Sequence, residues 1–366
     1  MNNLFKQTVA CLSAPTFKGS YEEGDCVFML KDVGDAIQEE GNEEREDKMD
    51  DGVHYSEMLP NEEFPTDEYL RLFHSSLKTS APLIAQYVAD VAEMILLDKG
   101  NDVVLVSLAR AGTPIGVLVK RFLQFRYGIE IPHYSVSIIR DKGLDMNAIL
   151  YIVNQHQGSQ IQFIDGWTGK GTINKTLQRS IGLLNEQYGL SLASDLAVLA
   201  DPAQAASIFG TRNDYFIPSS CLNSIVSGLA SRTVHREDLV GAYDYHGAKY
   251  YDRWEKEDLS RFFVNEIAKE FVSALSNRRI RQDVTNQGWK EVEIVRKRFG
   301  INSINKVKPG IGETTRVLLR RVPWKILVKD IYSPELRHIL LLAHQKNVAI
   351  EVHKDMSYSC MGLIKV

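Results

Sequence analysis

Ile161-Gln162-Phe163-Ile164-Asp165-Gly166-Trp167-Thr168-Gly169-Lys170-Gly171-Thr172 decides how this chain folds. Ile161 to Ile164 is a short apolar run of strand type and Asp165 to Thr172 a polar, glycine-rich loop. Ile173, Leu177, Ile181, Leu184 and Tyr188 then recur at helical spacing. Strand, loop and helix in that order make half of a βαβ unit. The same order stands upstream, where Val103 to Val106 leads through Ser107 to Thr113 into Pro114 at a helix start, with Ile115, Leu118 and Phe122 on one face. His133 to Ile139 and Leu196 to Leu199 read as further strands, and Ile84, Tyr87, Val88, Val91 and Ile95 as a helix over 81–98. Together these predict an α/β fold, a mainly parallel sheet with flanking helices, whose ligands bind at the carboxyl ends of the strands.

Both loops lie at that edge and both open helices. A helix N-terminus offers free N–H groups and partial positive charge, and glycine lets an anion come close, so each loop can cradle a phosphate. In the second loop Thr168 and Thr172 add hydroxyls, Lys170 a cation, and Asp165 an acceptor for sugar hydroxyls. It is not a Walker A loop, because only two residues separate Gly166 from Gly169 and Gly171 follows the lysine. Two such cradles suit a substrate with phosphates at two ends.

A length of 366 residues allows two or three domains. With 44% hydrophobic and 25% charged residues, the composition excludes disorder and collagen. Unbroken apolar runs such as Ile339 to Ala343 fall well short of the ~18 residues of a membrane span. Met1 to Phe17 lacks the apolar run of an export signal. Cys11, Cys26, Cys221 and Cys360 are too scattered for paired zinc ligands. These features predict a reduced, cytoplasmic protein with no membrane partner. The net charge of -4 hides a split: residues 276–366 hold 18 Lys and Arg against 8 Asp and Glu, a surplus of ten, which leaves -14 on the rest. A basic end on an acidic body points to a polyanionic partner. Within the body, Glu39 to Asp51 carries eight acids among thirteen residues and reads as a solvated loop or helix face.

Phe163 to Thr172 resembles the phosphoribosyl diphosphate signature of type I phosphoribosyltransferases, and Ala109-Arg110-Ala111-Gly112 resembles their pyrophosphate loop. More closely, Ser107 to Gly112, Ile139 to Asp145, Asp165 to Thr172, Gly210 to Tyr215 and Ile217 to Asn223 together resemble one bacterial family. It is the phosphoribosyltransferase-like family of tellurium-resistance and stress gene clusters, which also carries the label cysteine protease StiP. The resemblance covers most of residues 15–275. It implies a type I phosphoribosyltransferase-like sheet and an enzyme that binds phosphoribosyl diphosphate or a nucleotide and transfers or removes a phosphoribosyl group. The ribose carbon would become oxocarbenium-like as pyrophosphate leaves. Mg²⁺ would be carried on the diphosphate, with no direct protein site. On that reading Thr168, Gly169, Lys170, Gly171 and Thr172 hold the 5′-phosphate, Asp165 the ribose hydroxyls, and Arg110 and Gly112 the pyrophosphate. Arg140 and Lys142 close over it as a flexible hood and complete the catalytic group with Asp165. Arg212 and Asp214 are candidates for recognising the remaining part of the substrate, with a structural ion pair as the other reading. The usual pair of acids is reduced to Asp165, with Gly166 beside it.

The expected organisation is a phosphoribosyltransferase-like domain with an N-terminal extension over 1–275, a basic linker over 276–298 around Asn277 to Gln282, and a small α/β domain over 299–366. In the last, Lys306, Lys308 and Gly310 to Arg316 open a helix. Strand Ile326 to Val328, helix Pro334 to Lys346, strand Val348 to Val352 and Gly362 to Val366 follow. This segment is similar to the RNA-binding domain of Pelota and the L7Ae-type ribosomal proteins. Their pattern of Gly, any residue, Asn, Glu and a basic residue three later is matched at Gly310, Glu313 and Arg316, with Gly312 in place of Asn. The resemblance implies an RNA partner contacted through Lys306, Lys308, Gly310, Gly312, Glu313, Arg316 and Arg320. Two other readings stand beside the transferase: a cysteine protease with Cys221 as nucleophile and His235 or His246 as base, and a catalytically silent protein that binds a nucleotide and RNA. Self-association as a homo-oligomer is left open.

Overall fold

The computed structural model describes residues 1–275 and 281–364; residues 276–280 of the expected linker, the last two residues and the Arg320 side chain lie outside the described residues. The elements run α1 (Asn3–Val9), β1 (Val27–Met29), α2 (Asn42–Asp50), α3 (Asp67–Lys99), β2 (Val103–Ala109), α4 (Gly112–Tyr127), β3 (His133–Ile139), α5 (Met146–Gln155), β4 (Gln160–Trp167) and α6 (Thr172–Tyr188). Then come β5 (Leu196–Ala200), β6 (Ile208–Thr211), α7 (Ser260–Ala268), α8 (Gln287–Arg298), β7 (Val307–Pro309), α9 (Ile311–Arg320), β8 (Pro323–Val328), α10 (Arg337–Gln345), β9 (Ala349–Val352) and β10 (Cys360–Ile364), with short 3₁₀ turns and two-residue strands between.

Strands β1 to β6 form a parallel sheet in the order β1-β3-β2-β4-β5-β6. Successive side chains of a strand point to opposite faces, and both faces here are covered. Val103 and Leu105 join the core under α3 and α4, whereas Val104 and Val106 join the one under α5 and α6. Helix α3 starts at Asp67 rather than near Ala81, because Thr66 caps it through Tyr69 N at 3.3 Å and the helix runs on through Pro82. Its length and composition would suffice to cross a membrane. Ile84, Val88, Val91 and Ile95, however, are fully buried in the sheet core. The α/β expectation of a parallel sheet flanked by helices, with a small C-terminal domain, is what the chain adopts.

In that small domain a four-stranded sheet runs β7-β10-β8-β9. Part of the expected linker belongs to it, since α8 buries Val292 and Val295 against Val307, Leu327, Met361 and Leu363. On the other side, Ile311 and Leu318 of α9 and Ile339 and Leu342 of α10 share one apolar cluster with Phe216, Ile217 and Leu222 of the larger domain. The Phe216 and His338 rings stack with centroids 4.1 Å apart. A continuous core therefore joins the two domains. Charge joins them as well. Glu46 of α2 pairs with Arg321, and Arg281 pairs with Asp98 and Asp195. The acidic run is thus more than a solvated face, and Arg45 within it is only 1% exposed.

Candidate functional site

The docking places β7 and α9 over the carboxyl ends of β2 and β4. Between them lies a cleft with two adjoining lobes of about 220 and 230 Å³. Asp165, Tyr55, Ala111, Arg232, Lys308, Glu313, Arg316 and Arg321 line both. The first lobe adds Arg140, Lys170 and the turn from Thr168 to Thr172, and the second adds Ala109, Arg110 and Thr233. The two loops singled out in the sequence line one cleft, and α9 supplies its roof.

The floor is Asp165 at the end of β4, whose carboxylate accepts from Gly166 N at 2.7 Å. Burial pushes its carboxyl up to about 7, and the opposing effects of that N–H and of Arg316 are smaller. A group titrating there can accept a hydrogen bond or donate one near neutral pH. At the mouth of α6, Gly171 caps the helix with a left-handed backbone (φ 85°), and the Thr172 hydroxyl is buried with no hydrogen-bond partner. A helix N-terminus of this kind offers free N–H groups and partial positive charge.

Several expected contacts are engaged elsewhere. Lys170 Nζ donates to the carbonyls of Ile304 at 2.8 Å and Val307 at 3.4 Å, so it ties the loop to the C-terminal domain. Burial and then Arg140 push its ammonium down to about 8. Thr168 donates to Asp201 at 2.6 Å, and Asp201 also pairs with Arg212. Arg212 therefore has a structural acid partner, and it is Asp201 rather than Asp214. Asp214 accepts from Ile311 N at 2.9 Å and Ser359 N at 2.8 Å, which makes it a docking residue for the C-terminal domain. Gly112 is a packing glycine, because a Cβ there would stand 2.4 Å from Ile164 O. Gly169 lies under Glu313, 3.0 Å from Cβ position to Cγ, and its carbonyl accepts from Tyr358 Oη at 2.9 Å.

The hood expectation also changes. Arg140 lines the cleft, with its backbone N–H donating to Tyr55 Oη at 2.7 Å and its guanidinium 5.1 Å from the Tyr55 ring centroid. Lys142 points away, to Glu57 at 3.0 Å and the His235 carbonyl at 3.2 Å. Asp145 is buried as the cap of α5 and accepts from His246 N at 2.6 Å. This segment is a pinned turn.

The residues assigned to RNA divide in the same way. Lys308, Glu313 and Arg316 face the cleft, while Lys306 is partly exposed outside it. Burial acts to raise the Glu313 carboxyl, but Arg316, Lys308 and Lys170 outweigh it and hold it below the ordinary range. Burial, Lys170, Arg140 and Arg321 push the Lys308 ammonium down, with only Glu313 opposing. Gly310 and Gly312 are buried at the junction. A Cβ on Gly312 would stand 2.2 Å from the Trp167 ring, which is why Asn is replaced there.

Sequence reasoning missed Tyr55 and Arg232, which lie in stretches without periodicity, and Arg321, which follows the last residue of α9. The thiol pattern gives no dyad: Cys221 is 1% exposed, burial pushes it up to about 12, and its hydrogen-bond partner is Tyr69. The His246 ring is engaged by Ser137 Oγ at 2.8 Å and packs on His235. Among the described residues no cluster of three His, Cys, Asp or Glu could hold a metal.

Residues 286–366 match the PELOTA RNA binding domain, which supports RNA as a partner of the C-terminal domain. Over the whole length, the chain is 33% identical to "Cysteine protease StiP" of Acinetobacter baylyi, covering 95% of this chain and 94% of the relative. That name and the matching family description are those of a cysteine protease, not of a glycosyltransferase. They overturn the expectation that this chain is a phosphoribosyl-transferring enzyme. Residues 19–268 match the family described as "Tellurite-like stress resistance cysteine protease StiP", and with the full-length similarity this shows that the chain belongs to the StiP family.

Proposed function

We propose that this StiP-family chain is a stress-resistance protein that binds a phosphorylated ligand in its interdomain cleft and RNA through its C-terminal domain. The carrying observation is charge: Arg110, Arg140, Lys170, Arg232, Lys308, Arg316 and Arg321 line the cleft against the carboxylates of Asp165 and Glu313. Low-dielectric walls focus such a field on an anion. A nucleotide or phosphoribosyl diphosphate fits the reading, with a phosphate on the α6 cradle and sugar hydroxyls at Asp165. This use of the sheet edge is what would make the larger domain phosphoribosyltransferase-like. Mg²⁺ would enter on the phosphates, since the cleft offers two carboxylates and Arg316 already holds Glu313 at 2.8 Å. The organisation that goes with this reading is a ligand domain over 1–275 and an RNA domain completed by α8. Calorimetry with nucleotides and phosphoribosyl diphosphate, with and without Mg²⁺, should show one site per chain. Lys308→Met should weaken it about tenfold, the loss of about one charge-assisted contact. Absence of binding by every such ligand would sink the proposal.

The relative's name favours a second reading, peptide hydrolysis by a thiol. That chemistry needs a thiolate activated by a neighbouring base. Cys221 has neither in this structure, so Cys221→Ala should leave any peptide hydrolysis unchanged. Loss of hydrolysis in that variant, with an unaltered melting curve, would restore Cys221 as the nucleophile.

A further inference from the structure

On the C-terminal domain, away from the cleft, rings and cations gather beside the end of α8. That helix finishes in Arg296, Lys297 and Arg298, and Gly300, with a left-handed backbone (φ 63°), stops it just past Phe299. Phe299 is thereby held next to the start of β8, where the register shifts between Pro323 and Lys325. Successive residues of a regular strand point to opposite faces, and an irregularity of this kind re-aims one of them. Trp324 and Lys325 both meet the Phe299 ring. The indole lies 6.3 Å from it, centroid to centroid, at 86°, and Lys325 Nζ stands 5.3 Å from Phe299 and 5.5 Å from Trp324. His353, which follows the edge strand β9, adds a third ring 5.7 Å from Phe299. The Arg298 guanidinium is 6.0 Å from the same ring.

Part of this charge is neutralised locally. Glu351 pairs with Lys325 at 2.5 Å and with His353 at 2.6 Å, and Glu293 pairs with Arg296 at 2.6 Å. Lys297 and Arg298 are exposed, and among the described residues no carboxylate forms an ion pair with either. Trp324 is 37% exposed, and among the described residues no other tryptophan is exposed. A surface that pairs rings with free cations is complementary to unstacked bases joined by phosphates. A duplex keeps its base faces covered, so the rings favour a single strand. The face used by the RNA-binding pattern is closed in this chain, since Gly310 and Gly312 are buried at the junction and Glu313 and Arg316 face the cleft. None of Phe299, Trp324, Lys325 and His353 lines either lobe of that cleft.

We infer that Phe299, Trp324, Lys325 and His353, with Lys297 and Arg298 at their margin, form a stacking platform for single-stranded RNA. The inference rests on the RNA reading above and adds to it the kind of RNA and the surface that takes it. That surface stays open while the two domains are docked, so RNA reaches it without displacing α9 from the cleft.

The test measures binding of the full chain to labelled oligo(A), oligo(U) and an RNA duplex of equal length by fluorescence anisotropy. Both single strands should bind more tightly than the duplex. Trp324→Ala should weaken single-strand binding about tenfold, the loss of about one stacked base, and Trp324→Phe should recover most of it. Arg298→Gln should lower the slope of log affinity against log salt by about 0.7, one phosphate contact on a single strand. Unlabelled single strands should also quench tryptophan emission in the parent and much less in Trp324→Phe. That readout decides the matter even if the alanine variant folds poorly. Tighter binding of the duplex, or single-strand affinity and quenching unchanged in both Trp324 variants, would overturn the inference and leave the RNA reading standing. If none of the three RNAs binds, the RNA reading fails with it.

Discussion

Asp214→Ala should weaken the docking of the C-terminal domain and lower stability by about 2–5 kcal/mol, the cost of leaving two or more buried N–H groups without their charged acceptor. Asp214 is 8% exposed and accepts from the backbone of Ile311, Ser359 and Cys360, three donors of the other domain. Burial pushes its carboxyl up to about 6, so part of the gain from those bonds is offset by desolvation. The donors decide the sign all the same, because removing the acceptor leaves them buried while water cannot reach them. Ile311 N is the first amide of α9, so its loss also frees the helix that roofs the cleft. Asp214→Asn keeps one acceptor oxygen and should lose roughly half as much. Urea denaturation of the three proteins checks this, with the alanine variant unfolding in two steps where the parent unfolds in one. Superimposable curves for parent and alanine variant would refute the docking role.

How much of this was legible beforehand follows from how local each signal is. Val103 to Val106, His133 to Ile139 and Leu196 to Leu199 announce strands because a central parallel strand is apolar on both faces. The loop from Asp165 to Thr172 announces a strand-to-helix turn because its glycine and hydroxyl residues stand between an apolar run and a helical repeat. Docking has no such local signature. The acceptor of Ile311 N is 97 positions away and that of Ser359 N is 145 away. No pattern in the small domain shows that Glu313 and Arg316 face another domain. Asp214 and Lys170 therefore read as ligand contacts when they are the ties between domains. The charge split was visible but its meaning was partial: the acidic α2 and the basic end meet each other at Glu46 and Arg321 before either meets a partner.

Gly312→Asn tests that arrangement from the opposite side, because it restores the residue that the RNA-binding pattern has at this place. On an isolated domain the change would be mild, since Gly312 sits in the first turn of α9 and its φ is not in the left-handed range. Docked, any Cβ at 312 would lie 2.2 Å from Trp167 Cε2 and 2.4 Å from Nε1. Something must then move. If α9 lifts, the shared core around Ile311 and Leu318 opens. If the indole turns, Arg316 loses the ring 4.8 Å beneath it and the cleft changes shape. Overpacking of this severity costs about 3 kcal/mol, the upper end of what an added group costs in a packed core. Trp167→Ala should make room, so the double-mutant cycle should show the cost of Gly312→Asn shrinking by at least half in that background. Equal stability of Gly312→Asn and the parent would mean that the indole does not rest on α9. In that case the glycine owes nothing to the interface and the roof of the cleft is free to leave it.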